Sequence, residues 1–142
     1  MSETTKVFGK GGTVEHQGKK YPYAPLNLDM LAFFSAWLED QAWRRVESQR
    51  GRISESAYQG RLDAVARLVG ANTFDYEGQI AEAASRTPAG RRFLWYLMLA
   101  NGKGEHPVDE GLAAEIYDAD PAGISARMQS ANADPPPGTE TA

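Results

Sequence analysis

Cysteine is absent from all 142 residues. Disulfides, thiolate nucleophiles, iron–sulfur clusters and cysteine-ligated zinc are therefore excluded. Histidine is nearly absent: the chain has two, His16 and His106. Neither is followed three or four residues on by a second histidine, the spacing that helical metal sites use. No stretch approaches the run of about 18 apolar residues that a spanning helix needs. The opening MSETTKVFGKGG has none of the apolar character of a secretory signal. These absences point to a soluble, intracellular protein that does not engage a membrane. A basic surplus is missing too, since the net charge is −4. Nucleic acid is accordingly not expected as a partner, because phosphate binding requires a concentrated basic surface. The charge is uneven, with +2 on residues 1–26, none on 27–102 and −6 on 103–142.

What is present reads as a mainly α chain: a helical bundle of about five to six helices with a small N-terminal β-hairpin. A Gly- and Thr-rich leader covers residues 1–12 and is expected to be flexible. A single domain follows over 13–131, a size at which folding buries most of the exposed surface without a metal or disulfide staple. Thr13 to His16, the turn signal Gln17-Gly18-Lys19 and Lys20 to Ala24 form the hairpin, with Val14, Tyr21 and Tyr23 on its apolar side. Pro22 restricts the second strand to an edge. A lone hairpin is marginal in water, so it must pack on the helices or join a partner's sheet.

Asn27 is an N-cap candidate for a long helix ending near Gly51. On it Phe33, Trp37, Met30, Phe34, Leu38, Leu31, Ala42 and Val46 span about 220° of circumference at 100° per residue. One packed neighbour covers about 100°. Ser56-Ala57-Tyr58-Gln59 fits a capping box for a second helix, in which Tyr58, Leu62, Val65 and Val69 recur at helical spacing. Gly70 suits its left-handed C-terminal residue. A shorter helix falls within Phe74 to Ala84, weakened by Gly78. Thr87-Pro88 opens the run AGRRFLWYLMLAN, apolar on every side from Phe93 to Ala100 and so expected to be the central buried helix. Pro107 opens a helix to about Tyr117, with Leu112, Ile116 and Tyr117 inward. Asp120-Pro121 opens the last, carrying Ile124 and Met128. Residues 132–142, Pro-rich and without an apolar anchor, are expected to be disordered.

No constellation specifies catalysis. A phosphate-loop reading of the N-terminal glycines fails, because five residues separate Gly12 from Gly18 and Lys20 follows Lys19 where Ser or Thr is required. Asp109 with Glu110, and Asp118 with Asp120, are acidic pairs, but first-turn carboxylates serve the positive end of a helix dipole. No serine lies in a nucleophile elbow. A convergent cleft joining His106 to Asp109 or Glu110 would be needed for an enzyme. The chain is therefore read as a non-enzyme with no cofactor and no metal.

The remaining signal is aromatic. Core packing accounts for most large residues, but a stripe broader than one contact suggests that part of the first long helix meets another chain. The candidate partner-binding residues are Met30, Phe33, Phe34, Trp37 and Trp43. Arg44 and Arg45, or Arg91 and Arg92, would either rim such a contact or be solvated.

Gly18, Tyr21, Pro25, Leu26 and Leu28, within GKKYPYAPLNL, lead into an apolar helix. Then follow the Thr87 to Leu99 helix, TPAGRRFLWYLML, and the acidic segment from Pro107 to Ile116. Over residues 13–131 this order resembles the tail assembly chaperones of long-tailed bacteriophages. The resemblance implies a host-cytoplasmic protein that binds the phage tape-measure protein, or another tail protein, and keeps its apolar helices soluble until tube subunits assemble. It also implies absence from the finished virion. A longer frameshifted form accompanies many such chaperones, and a homo-oligomer is compatible with the pattern. The competing class is a structural virion component, such as a head-to-tail adaptor or tail terminator, whose hairpin would lock subunits in a ring.

Overall fold

Gln17 and Gly18 both take positive φ, 52° and 78°, the combination that closes a two-residue hairpin with the twist its strands require. In the computed structural model, which describes residues 11–132, that turn joins β1 (Gly12–His16) to β2 (Lys19–Tyr23) as an antiparallel pair. The expectations for residues 1–10 of the leader and 133–142 of the tail lie outside the described residues. Register runs from His16 opposite Lys19 to Gly12 opposite Tyr23. Counting from the pair beside the turn, Thr13 and Pro22 oppose each other at a non-hydrogen-bonded position. The N–H that proline lacks would have pointed away from β1, so Pro22 costs the ladder nothing. Val14, Tyr21 and Tyr23 fall on one face and are all buried.

Six helices follow: α1 (Leu28–Glu47), α2 (Glu55–Gly70), α3 (Gln79–Ala84), α4 (Pro88–Ala100), α5 (Glu110–Ala119) and α6 (Pro121–Asn132). The mainly helical architecture with an N-terminal hairpin is the one read from the sequence. None of the described helices is long and apolar enough to cross a membrane. The described residues fall into two compact units, 11–30 with 88–132, and 31–87.

The first unit is organised by α4. Leu94, Trp95, Leu97, Met98 and Leu99 are buried, Trp95 and Met98 completely. Tyr23 on β2 packs its ring on Trp95, centroids 5.0 Å apart. The last carbonyls of a helix have no intrahelical donor. Here the Ala24 N–H donates to Met98 O at 3.0 Å, Asn101 Nδ2 donates to Leu97 O at 2.8 Å, and the Gly102 N–H donates to Leu99 O at 3.1 Å. A Cβ on Gly102 would strike the Pro22 carbonyl, so the chain leaving α4 passes against β2 at a distance only glycine permits. On α5, Ala113, Ile116 and Tyr117 are buried; on α6, Ile124, Met128 and Ala131. Asn132, assigned from sequence to the tail, is the last residue of α6. Its side chain accepts the Leu26 N–H at 2.7 Å and donates to Met128 O at 2.7 Å.

The second unit holds a cluster of Val46, Tyr58 and Val65, against which Ala42, Trp43, Ile53, Leu62 and Val69 pack. Three helix ends here and in the first unit differ from the sequence reading. The α2 N-cap is Ser54, whose Oγ accepts the Ala57 N–H at 3.1 Å, and Ser56 lies inside the first turn. Ser54 wins because it places Ile53 before the cap and Tyr58 at the fourth helical position, both in the apolar cluster, as a hydrophobic staple. A cap at Ser56 would put Glu55 and Gly60 there instead. The left-handed residue ending α2 is Asn72 (φ 56°), not Gly70. Thr73 N–H to Leu68 O and Asn72 N–H to Val69 O, both 3.0 Å, complete a Schellman motif. Finally, α5 begins at Glu110 rather than Pro107, because the Asp109 carboxylate accepts the Leu112 N–H at 2.8 Å and stops the helix extending backwards.

Three substitutions check these assignments in urea unfolding monitored by far-UV circular dichroism. Ser54→Ala should cost about 1 kcal/mol, while Ser56→Ala should stay within about 0.5 kcal/mol of the parent; equal effects would refute the cap. Gly102→Ala should cost about 1–3 kcal/mol through overpacking against Pro22, and a neutral result would mean the hairpin does not sit against this loop.

Candidate functional site

The five candidate residues lie on α1, which Asn27 starts: its Oδ1 accepts the Met30 N–H at 2.9 Å. Their environments differ sharply. Met30 is 1% exposed and Phe34 2%, so both belong to the interior of this chain. Trp43 is half-buried against the cluster of Val46, Tyr58 and Val65. Trp37 is half-buried and stacks on Phe34, centroids 5.8 Å apart and planes inclined by 15°. Phe33 is 63% exposed.

The breadth of the apolar stripe has a geometric source that counting positions on one circle conceals. Met30, Phe34, Leu38, Ala42 and Val46 are a single i, i+4 row. Each step along such a row advances about 40° at 100° per residue, so five members sweep about 160° while remaining one continuous ridge. The row is covered along its length: Met30, Phe34, Leu38 and Val46 are buried and Ala42 packs on the second unit's cluster. A broad projected stripe therefore does not require a second partner. What lies beyond the row is the exposed shoulder of Ala32, Phe33 and Ala36, bordered by half-buried Trp37. Asp40 and Arg44, paired at 2.7 Å, close its C-terminal side.

The shoulder presents an aromatic ring between small side chains, with no charged group between Ala32 and Trp37. Its chemistry is apolar contact, with the alanines allowing another helix to come close. Full burial of a side chain of this class is worth about 1.5–3 kcal/mol, most of which Phe33 forgoes in the free chain. Two other large apolar residues are exposed that the sequence reading did not single out as candidates, Leu28 at 58% and Leu68 at 39%. Leu28 is the first residue of α1, and the apolar pattern of α2 conceals Leu68 because it flanks Val65 and Val69.

Several of the polar candidates have structural roles, while Glu110 is exposed in the first turn of α5. His16 Nε2 lies 2.8 Å from Glu115 Oε2, pairing residues 99 apart in sequence. His106 lies beside Tyr21, ring centroids 5.7 Å apart. Asp109 and Asp120 cap α5 and α6, Asp120 accepting the Gly123 N–H at 3.1 Å. Asp118 is in the last turn of α5, not a first turn as read from sequence. A carboxylate there opposes the helix dipole, and Arg92, 2.8 Å away, compensates it. The same guanidinium lies 5.8 Å from the Tyr117 ring centroid. Among the described residues no three His, Asp or Glu side chains gather as a metal site would require. No family model, no curated protein and no solved structure matches the chain.

The contrast between adjacent phenylalanines is directly measurable. Phe34→Ala should destabilise by about 3–5 kcal/mol. Phe33→Ala should change stability by no more than about 0.5 kcal/mol. Comparable losses in thermal or urea melts would place Phe33 in the core and remove the shoulder.

Proposed function

We propose that this chain is a tail assembly chaperone of the phage type, which binds apolar helices of a tape-measure protein, or of another tail protein, in the host cytoplasm. It acts by binding rather than by catalysis and leaves before the virion is complete. The observation that carries the reading is the exposure of Phe33 on a helix whose adjacent row is buried. An aromatic residue set between Ala32 and Ala36 on a rigid helix suits recognition of an amphipathic partner helix, with apolar anchors of the partner closing over the ring. The resemblance of the hairpin and of the segments from Thr87 to Leu99 and from Pro107 to Ile116 supplies the client's class. Further support comes from the polar side chains: His16 is paired with Glu115, and Asp109 and Asp120 are spent on helix caps.

The test is co-expression with the proteins encoded beside it, followed by pull-down. The parent chain should retain a tape-measure protein, and Phe33→Asp should lose at least about tenfold in affinity, as for an interface anchor, while keeping a cooperative melt. Retention of the client by Phe33→Asp would move the contact elsewhere. Recovery of the chain in stoichiometric amount from purified particles would make it a structural component, such as an adaptor or terminator.

A further inference from the structure

On α1 the i, i+4 row beside the buried one runs Phe33, Trp37, Gln41, Arg45, all within the compact unit 31–87. It changes character along its length. Phe33 is exposed and apolar, Trp37 and Gln41 are half-buried, and Arg45 is exposed and cationic. At 1.5 Å per residue, about 18 Å of axial rise separates Phe33 from Arg45. No carboxylate lies in the row. The acids of α1 within this unit, Glu39, Asp40 and Glu47, project about 120° or more away from Arg45 at 100° per residue. Asp40 is already paired with Arg44 at 2.7 Å, whereas Arg45 makes no ion pair among the described residues. Further cations gather at the same end. Residues 44–52, RRVESQRGR, hold four arginines to one glutamate. Arg50 lies over the Tyr58 ring at 5.6 Å, and Arg61 of α2 donates to Gln49 Oε1 at 2.6 Å.

An apolar end and a cationic end on one ridge define the occupant: an amphipathic helix with an apolar anchor and, about three turns away, carboxylates. Resting on the reading of Phe33 as the client contact, we propose that the client helix runs antiparallel to α1, its apolar residues over Phe33 and its acidic first turn at Arg45. The direction follows from the dipoles. The α1 dipole is negative at Arg45, and a helix carries acids most favourably in its first turn, where its own dipole is positive. Antiparallel placement brings that acidic turn to the arginines and sets the two dipoles in opposition. Arginine suits the contact because its planar fork matches a carboxylate and is less strongly hydrated than an ammonium. A client helix is favoured over nucleic acid because the same ridge ends in an apolar anchor, and because the net charge of −4 opposes the approach of a polyanion.

The test is fluorescence anisotropy of the full chain with two labelled peptides of one composition, each about 18 residues long so as to span the row at 1.5 Å per residue. Both carry a leucine seam and a cluster of glutamates, placed in the first turn of one and in the last turn of the other. At about 0.01 M salt the first should bind about fivefold more tightly, the equivalent of two exposed ion pairs. At about 1 M, where the screening length falls to about 3 Å, that preference should vanish while binding persists. R45E should abolish the preference and keep a cooperative melt; R67E, with the same change of charge on α2, should preserve it. Phe33→Ala should weaken both peptides alike. Equal binding of the two peptides by the parent, or a preference that survives R45E, would overturn the proposal and leave the Phe33 contact standing. Undiminished binding of both by Phe33→Ala would instead remove the contact on which the proposal rests. Binding of neither peptide, an oligonucleotide held through Arg45, or self-association that Phe33→Ala abolishes would also overturn it.

Discussion

The second half of α4 has no polar face, and much of the first unit follows from that constraint. A helix this apolar must bury most of its surface: Trp95 and Met98 are enclosed completely, while Phe93 and Tyr96 stay half-buried and Ala100 exposed. Enclosure creates a second demand at the helix end, where carbonyls cut off from water need donors. The chain meets both demands with the same pieces. The hairpin brings Tyr23 to the Trp95 ring and the following Ala24 N–H to the Met98 carbonyl. A two-stranded hairpin that would be marginal alone is thereby anchored, and it satisfies the helix it covers. Asn132 joins this arrangement from the end of α6, reaching Leu26 on one side and its own helix on the other.

The long helix α1 illustrates a different constraint. Its buried residues follow one i, i+4 row, which winds about the axis as it runs, so a helix can look two-sided in projection and still offer a single ridge to its surroundings. Once that ridge is set aside, the unexplained apolar surface contracts from nine residues, Met30 to Leu38, to the shoulder around Phe33. The functional reading becomes narrower and more exacting in consequence. It no longer depends on a wide groove but on one exposed ring and the small residues beside it.

Long-range pairings were the part least legible in the chain. His16 with Glu115, Leu26 with Asn132 and Arg127 with the Thr13 carbonyl each join residues about a hundred or more positions apart. No local pattern marks them, because each partner alone is a polar side chain or a backbone group of a kind present at many positions. Helix ends were legible only where local signals did not compete. Asn27, Pro88 and Asp120-Pro121 act where the sequence pattern placed them. At α2 and α5 the starts are Ser54 and Asp109 in place of the Ser56 and Pro107 read from the sequence; packing decides the first by placing Ile53 and Tyr58 in one cluster, and the Asp109 carboxylate decides the second by capping Leu112 N–H.

By itself the sequence determined the hairpin, the mainly helical architecture and the absence of cysteine chemistry, because each follows from short-range periodicity, turn stereochemistry or composition. Tertiary structure alone decided which member of the Phe33-Phe34 pair faces water. Adjacent residues on a helix point about 100° apart, and hydrophobicity is equal for the two. Only the position of the neighbouring chain distinguishes a core side chain from an exposed one.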